Sequence, residues 1–132
     1  MTFAQEIAAR TLYGEARGEP EEGQRAVARV LVNRMRDGRW GKNLGSVCLW
    51  PFQFSCWLSR DPNLKTIISL ADDDPMLVKL RGIVAEALAS TNDVTQGATH
   101  YYAVSMNNPP AWSIGATFCG QIGNHRFYRD VK

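Results

Sequence analysis

Arg10-Thr11-Leu12-Tyr13-Gly14-Glu15-Ala16-Arg17-Gly18-Glu19-Pro20 is where the first amphipathic segment of the chain ends, and it sets a carboxylate on that segment's apolar side. Counting back from Glu15 by three, four, seven and eleven residues gives Leu12, Thr11, Ala8 and Ala4. At about 100° per residue these positions share one helical face. Two readings follow. Glu15 caps a solvated helix end, bonded to Arg17 or Arg25, or it is a partly buried acid without a cation. In the second case its pKa rises towards neutrality, as a proton donor requires. Gly14 and Gly18 flank it and let a backbone or a ligand come close. A chain built only for helix stability would avoid them, since each costs about 1 kcal/mol relative to alanine.

Working outward, Thr2 and Gln5 have the form of a capping box, so the first helix begins at residue 3. Phe3, Ile7, Ala8, Thr11 and Leu12 form its inner side. Pro20 suits a first helical position, and Glu21 and Glu22 complement the dipole of a second helix running to about Arg36. Ala26, Val27, Val30, Leu31 and Met35 make its buried stripe, and Arg25, Arg29 and Arg36 its wet side. Residues 37–60 read as a long ordered loop rich in Gly, Trp and Phe. Asp61-Pro62 and Asp74-Pro75 each mark a helix start, predicting helices at 62–71 and 75–90. Leu77, Leu80, Ile83, Val84, Ala87 and Leu88 give the latter its apolar spacing. Beyond Thr91-Asn92-Asp93 the period changes. Ala98 to Val104 and His125 to Tyr128 are β-prone and suited to antiparallel pairing. The expectation is one α+β domain over residues 1–132, mostly helical, with a small antiparallel sheet near the C-terminus.

The charge distribution says more than the net charge of +2. Residues 1–42 hold 8 basic and 6 acidic groups, and residues 60–93 hold 4 and 6. Residues 43–59 and 94–125 hold none apart from His100 and His125. These uncharged stretches carry Trp50, Phe52, Phe54, Trp57, Tyr101, Tyr102, Trp112 and Phe118 among Gln, Asn and Ser residues. Flat rings with amides and hydroxyls fit a neutral polar ligand such as a sugar chain, and they equally fit an aromatic core beside polar loops.

Several chemistries are disfavoured. Two histidines without HExxH do not make a metallohydrolase. Asp72-Asp73-Asp74 lacks the EF-hand pattern and reads as a solvated turn. GxSxG and GxxxxGK[ST] are missing. The aromatics avoid the basic segments, contrary to a nucleic-acid surface. Cys48, Cys56 and Cys119 form no metal spacing; Cys48 and Cys56 are a disulfide within one loop or buried free thiols. A cysteine hydrolase stays open as a minor option. No run approaches the ~18 apolar residues of a membrane span, and Met-Thr-Phe-Ala-Gln-Glu lacks the pattern of a secretory leader. Carboxylate acid catalysis keeps the strongest physical argument.

Tyr13-Gly14-Glu15-Ala16-Arg17-Gly18-Glu19, Gly23-Gln24-Arg25-Ala26-Val27-Ala28, Asn33-Arg34, Phe52-Gln53-Phe54-Ser55, Thr95-Gln96-Gly97-Ala98-Thr99-His100-Tyr101-Tyr102 and Ile122-Gly123-Asn124-His125-Arg126-Phe127-Tyr128 occur in that order. In this ordered series the chain resembles the SleB-type, spore cortex-lytic cell-wall hydrolases over nearly its whole length. The resemblance implies a lysozyme-like domain that cuts peptidoglycan glycan strands as a lytic transglycosylase. It implies Glu15 as the general acid and then base between N-acetylmuramic acid and N-acetylglucosamine. No metal and no cofactor is expected.

Gln53, Ser55, Tyr101, Tyr102, Trp112, His125 and Tyr128 are the expected substrate-binding residues, with two or three of the rings lining a groove. Asn33 is expected to make a structural bond between helix and loop, and Glu19 to be an N-cap before Pro20 rather than a second carboxylate. A monomer is expected, with peptidoglycan glycan strands as its partner and neither nucleic acid nor membrane insertion. The resembling proteins generally carry export signals or wall-binding modules. Their absence here predicts a phage-type lysis enzyme acting on the bacterial cell wall, made in the cytoplasm and released by a separate pore protein. A non-catalytic peptidoglycan-binding module, a muramidase and an amidase are the alternatives.

Overall fold

Thr2 accepts the Gln5 N–H at 3.1 Å while Gln5 accepts the Thr2 N–H at 3.0 Å. This reciprocal cap starts α1, which spans Phe3–Ala16 in a computed structural model that describes all 132 residues. Ile7, Ala8, Thr11 and Leu12 are buried as their spacing requires. Phe3, expected inside, is 81% exposed. Gly45 packs against Ala4 and Ile7, and Phe3 lies outside that contact.

Pro20, not Glu19, is the N-cap of α2, Glu21–Asp37, which ends at Gly38 with φ 91° and a bond from its N–H to Arg34 O. The helix is buried on nearly every side because α1, α3 and α5 all pack on it. Arg29, expected on a wet face, is therefore buried and donates to Ser90 O at 3.2 Å.

Residues 37–60 are not one long loop. Asn43 accepts the Ser46 N–H at 2.9 Å and caps α3, Leu44–Leu49, and a 3-10 turn covers Ser55–Trp57. The next helix, α4, is Asn63–Ile68, shorter than expected, with the Asp61 side chain accepting the Asn63 N–H at 2.8 Å. Asp74 accepts the Leu77 N–H at 3.0 Å and opens α5, Pro75–Ala89. Leu77, Leu80, Ile83, Val84 and Ala87 are buried against α1 and α2. Burying each large aliphatic side chain contributes about 1.5–3 kcal/mol, so this stripe holds the helical layer together.

The sheet has order β1-β3-β2, all antiparallel, with β1 at His100–Ala103, β2 at Thr117–Ile122 and β3 at His125–Arg129. β1 and β3 pair as the sequence predicts, with His100 opposite Tyr128 and Ala103 opposite His125. β2 was not foreseen. A register shift between Phe118 and Gly120, where φ reaches 137°, breaks the alternation that marks a strand. All three cysteines are free, Cys48 and Cys56 being buried. No helix is long and apolar enough to cross a membrane.

Candidate active site

Glu15 sits in the last turn of α1, and Gly14 explains what reaches it. A Cβ on Gly14 would stand 2.7 Å from Cys56 Cβ and 2.9 Å from Cys56 Sγ. Only glycine lets the Ser55–Trp57 turn press against the helix there. Trp57 Nε1 donates to Thr11 Oγ1 at 2.9 Å and fastens the same turn, while the Thr11 hydroxyl donates to Ile7 O at 2.8 Å. Gly18 faces open space, so the close approach is on one side only.

The Glu15 carboxyl is half-buried, and no cation offsets that. Burial pushes its pKa up, the Cys56 thiol and N–H oppose the shift, and the negative charge of Asp61 adds to it. The arginines suggested as partners are engaged elsewhere. Arg17 donates to Tyr13 O at 3.0 Å and Asn63 Oδ1 at 2.7 Å. Arg25 pairs with Glu21 and Glu86.

Beside Glu15 lies a cleft of about 470 Å³. Gln53, Phe54 and Ser55 line it from the segment before α4, and Tyr101, Tyr102, Trp112 and His125 from the sheet side. Tyr101 faces inward between His125, at 4.8 Å between ring centroids, and Phe127 at 5.7 Å. Burial, reinforced by the Glu15 charge, lifts the Tyr101 phenol well above its usual pKa, so it keeps its proton. On the other face of β1, Trp112 packs edge-on to Tyr102 at 5.9 Å and tilted on His100 at 4.9 Å. Tyr128 stacks on Tyr102 at 5.6 Å and shares a 3.3 Å hydroxyl contact with it. Its ring contacts those of Tyr102 and Trp112, and it is not itself among the residues that line the cleft.

The geometry of the first motif separates its two glutamates. Glu19 accepts the Asn124 backbone N–H at 2.8 Å and the Asn124 side-chain N–H at 2.9 Å. Burial alone would raise its pKa, but these bonds and nearby His125 bring the net below the usual value, so it is ionised. It clamps the β2–β3 turn and takes no part in lining the cleft. Asn33 plays the structural role foreseen, donating at 2.9 Å to both Asp93 Oδ2 and Ala98 O.

This arrangement can be compared with known proteins. The sequence profile of the Cell Wall Hydrolase family matches residues 18–128. The chain belongs to that family. The spore cortex-lytic enzyme of Bacillus subtilis (strain 168) is 41% identical over 123 residues, covering 92% of this chain and 36% of the relative. That of Halalkalibacterium halodurans is 31% identical over 126 residues, covering 92% and 33%. The chain thus spans about a third of the length of these curated relatives. Among solved structures, the catalytic domain of the germination-specific lytic transglycosylase SleB from Bacillus anthracis superposes with a TM-score of 0.76 at 25% identity, over 98% of this chain and 97% of that one. The catalytic domain of the Bacillus cereus SleB protein gives the same TM-score and identity over 96% and 89%.

In this cell wall hydrolase domain, six cleft residues were not named as site residues from sequence: Arg34, Phe52, Phe54, Ala103, Met106 and Pro110. Arg34 is buried on α2, donates to Thr99 O at 2.6 Å and to Gln53 Oε1 at 3.0 Å, and lies 4.6 Å over the Trp40 ring. Burial pulls its pKa down to about 10, leaving it charged at neutral pH. It aims the Gln53 amide. The Asn33-Arg34 pair in the ordered motif series was the signal. Phe52 lines the cleft with 85% of its surface exposed and a left-handed φ of 63°. Met106 also lines it, and nothing in its sequence surroundings marked it.

Proposed function

We propose that this domain cleaves peptidoglycan glycan strands between N-acetylmuramic acid and N-acetylglucosamine as a lytic transglycosylase. The observation that carries the reading is Glu15, an unpaired half-buried carboxyl and the one carboxylate among the residues lining the cleft. The Glu15 carboxyl gives its proton to the glycosidic oxygen as the C1–O bond of the muramic residue breaks. The oxocarbenium-like C1 is then attacked by the C6 hydroxyl of the same sugar. That hydroxyl's proton passes to the Glu15 carboxylate, and the acid is regenerated with a 1,6-anhydro end as product. Hydrolysis through water ordinarily uses a second carboxylate about 5–9.5 Å away, and Glu19 is turned aside to Asn124.

Tyr102 and Trp112 supply flat faces, and Gln53, Ser55 and His125 supply polar contacts to the amino sugars. The cleft is complete within one chain, which fits a monomer at work. An amidase using cysteine is disfavoured. Burial pushes the Cys48 thiol up to about 12 and the Cys56 thiol further, and no histidine contributes to either environment.

Mass spectrometry of fragments released from purified peptidoglycan tests the reading. Anhydro-muramic ends support it. Reducing muramic ends indicate a muramidase, free stem peptides an amidase, and no release a binding module; each overturns it.

A further inference from the structure

His125 Nδ1 is one of two buried side-chain polar atoms in the protein that lack a hydrogen bond of ordinary geometry. An orphan of this kind is rare enough in folded proteins to need a reason. Its facing acceptor is Glu19 Oε1 at 3.5 Å. The Glu19 carboxylate is itself fixed by both Asn124 donors, and a Cβ on Gly123 would come within 2.7 Å of its Oε1. The carboxylate is thus held from 106 residues away in sequence, 19 to 125, against one particular nitrogen of one particular ring. His125 is also one of the residues lining the cleft that contains Glu15.

We infer that Glu19 is a positioning residue that fixes the tautomer of His125, placing the proton on Nδ1 and leaving the Nε2 lone pair as an acceptor for a hydroxyl or acetamido N–H of the bound amino sugar. An imidazole with one nitrogen facing a carboxylate carries its proton there, and the other nitrogen is then an acceptor. Such a group adds an acceptor beside the Ser55 hydroxyl. In the proposed reaction Glu15 acts as a donor, the Tyr101 phenol keeps its proton, and Arg34 occupies the Gln53 oxygen. A neutral ring nitrogen balances that set. Burial favours the neutral ring, with the Glu19 charge opposing it in part.

The inference rests on the transglycosylase reading for the identity of the ligand, but its first test does not. The protein has two histidines, His100 and His125, so long-range proton–nitrogen correlation spectra of the nitrogen-15-labelled chain resolve each ring. Nδ1–H is expected for His125 without substrate, and an Nε2–H ring in the wild-type protein overturns the inference whatever the activity. Kinetics on peptidoglycan form the second arm. His125→Leu should raise KM about tenfold, the loss of one good hydrogen bond, with kcat little changed. His125→Gln, whose amide oxygen falls near the Nε2 position, should restore KM to within about threefold.

Glu19→Gln should raise KM in the wild type and add nothing in the His125→Gln background. An equal penalty in both backgrounds would make Glu19 a turn clamp only and would sink the positioning role. Because Glu15 is untouched in all these variants, failure of the catalytic reading appears separately, as retained turnover in Glu15→Gln.

Discussion

The two ends of α1 treat the same residue type in opposite ways. Near its start, Glu6 is gripped by Arg81 at 2.8 Å through both carboxylate oxygens and by Arg10 at 3.1 Å. The Arg81 bonds lower its pKa against the opposing effect of burial. At its finish, Glu15 has burial without cations, and its pKa moves up. One helix therefore carries a carboxylate fixed as an anion for stability and another kept ready to hold a proton. Environment, not residue identity, makes the difference: charge pairs surround the first, and a thiol, a phenol and a cleft surround the second.

The largest effect is expected at Glu15. Glu15→Gln keeps the shape and removes the proton, so glycan cleavage should fall by at least ~100-fold while the thermal midpoint holds or rises. Glu6→Gln should do the reverse, leaving turnover intact and lowering stability. That loss has a defined pH window. Because the folded pKa of Glu6 is lowered, its contribution is present above the unfolded value and disappears as pH falls through the folded one. Denaturant melts of the two proteins should converge at acid pH.

Two variants test how the cleft is built around the acid. Arg34→Met strands Thr99 O and frees Gln53, and should destabilise by about 2–4 kcal/mol in a urea melt. Gly14→Ala drives a methyl into Cys56, and about 1–3 kcal/mol of overpacking should accompany a drop in activity as the Ser55–Trp57 turn shifts. The smallest effect is expected at Phe52. Phe52→Gly removes left-handed strain of about 1–3 kcal/mol against about 1 kcal/mol of glycine entropy, so the melt should not fall. Its KM for glycan should rise about threefold, the loss of one aromatic contact worth roughly 0.5–1 kcal/mol.

Much of this was legible in the sequence, and the gaps have physical causes. Caps and periodicity located α1, α2 and α5, because a capping box and a Pro-started helix leave marks within a few residues. The six residues of α3 were too short to show a period, and the bulge before Gly120 hid β2. Arg29 read as solvent-facing because a charged residue on a helix usually is, whereas α2 is buried on nearly all sides. Glu15, Gln53, Ser55, Tyr101, Tyr102, Trp112 and His125 were named from sequence and share one cleft. Glu19 was misjudged because its partner Asn124 is far along the chain, where local spacing carries no signal.

Glu15 holds its proton to a higher pH than an ordinary glutamate. Carbon-13 NMR titration of the side-chain carboxyls, assigned by comparison with Glu15→Gln and Glu6→Gln, measures it directly. Glu15 is expected to titrate with a midpoint above the ordinary value of 4.5, and Glu6 with one below it. A Glu15 midpoint at or below 4.5 would contradict it.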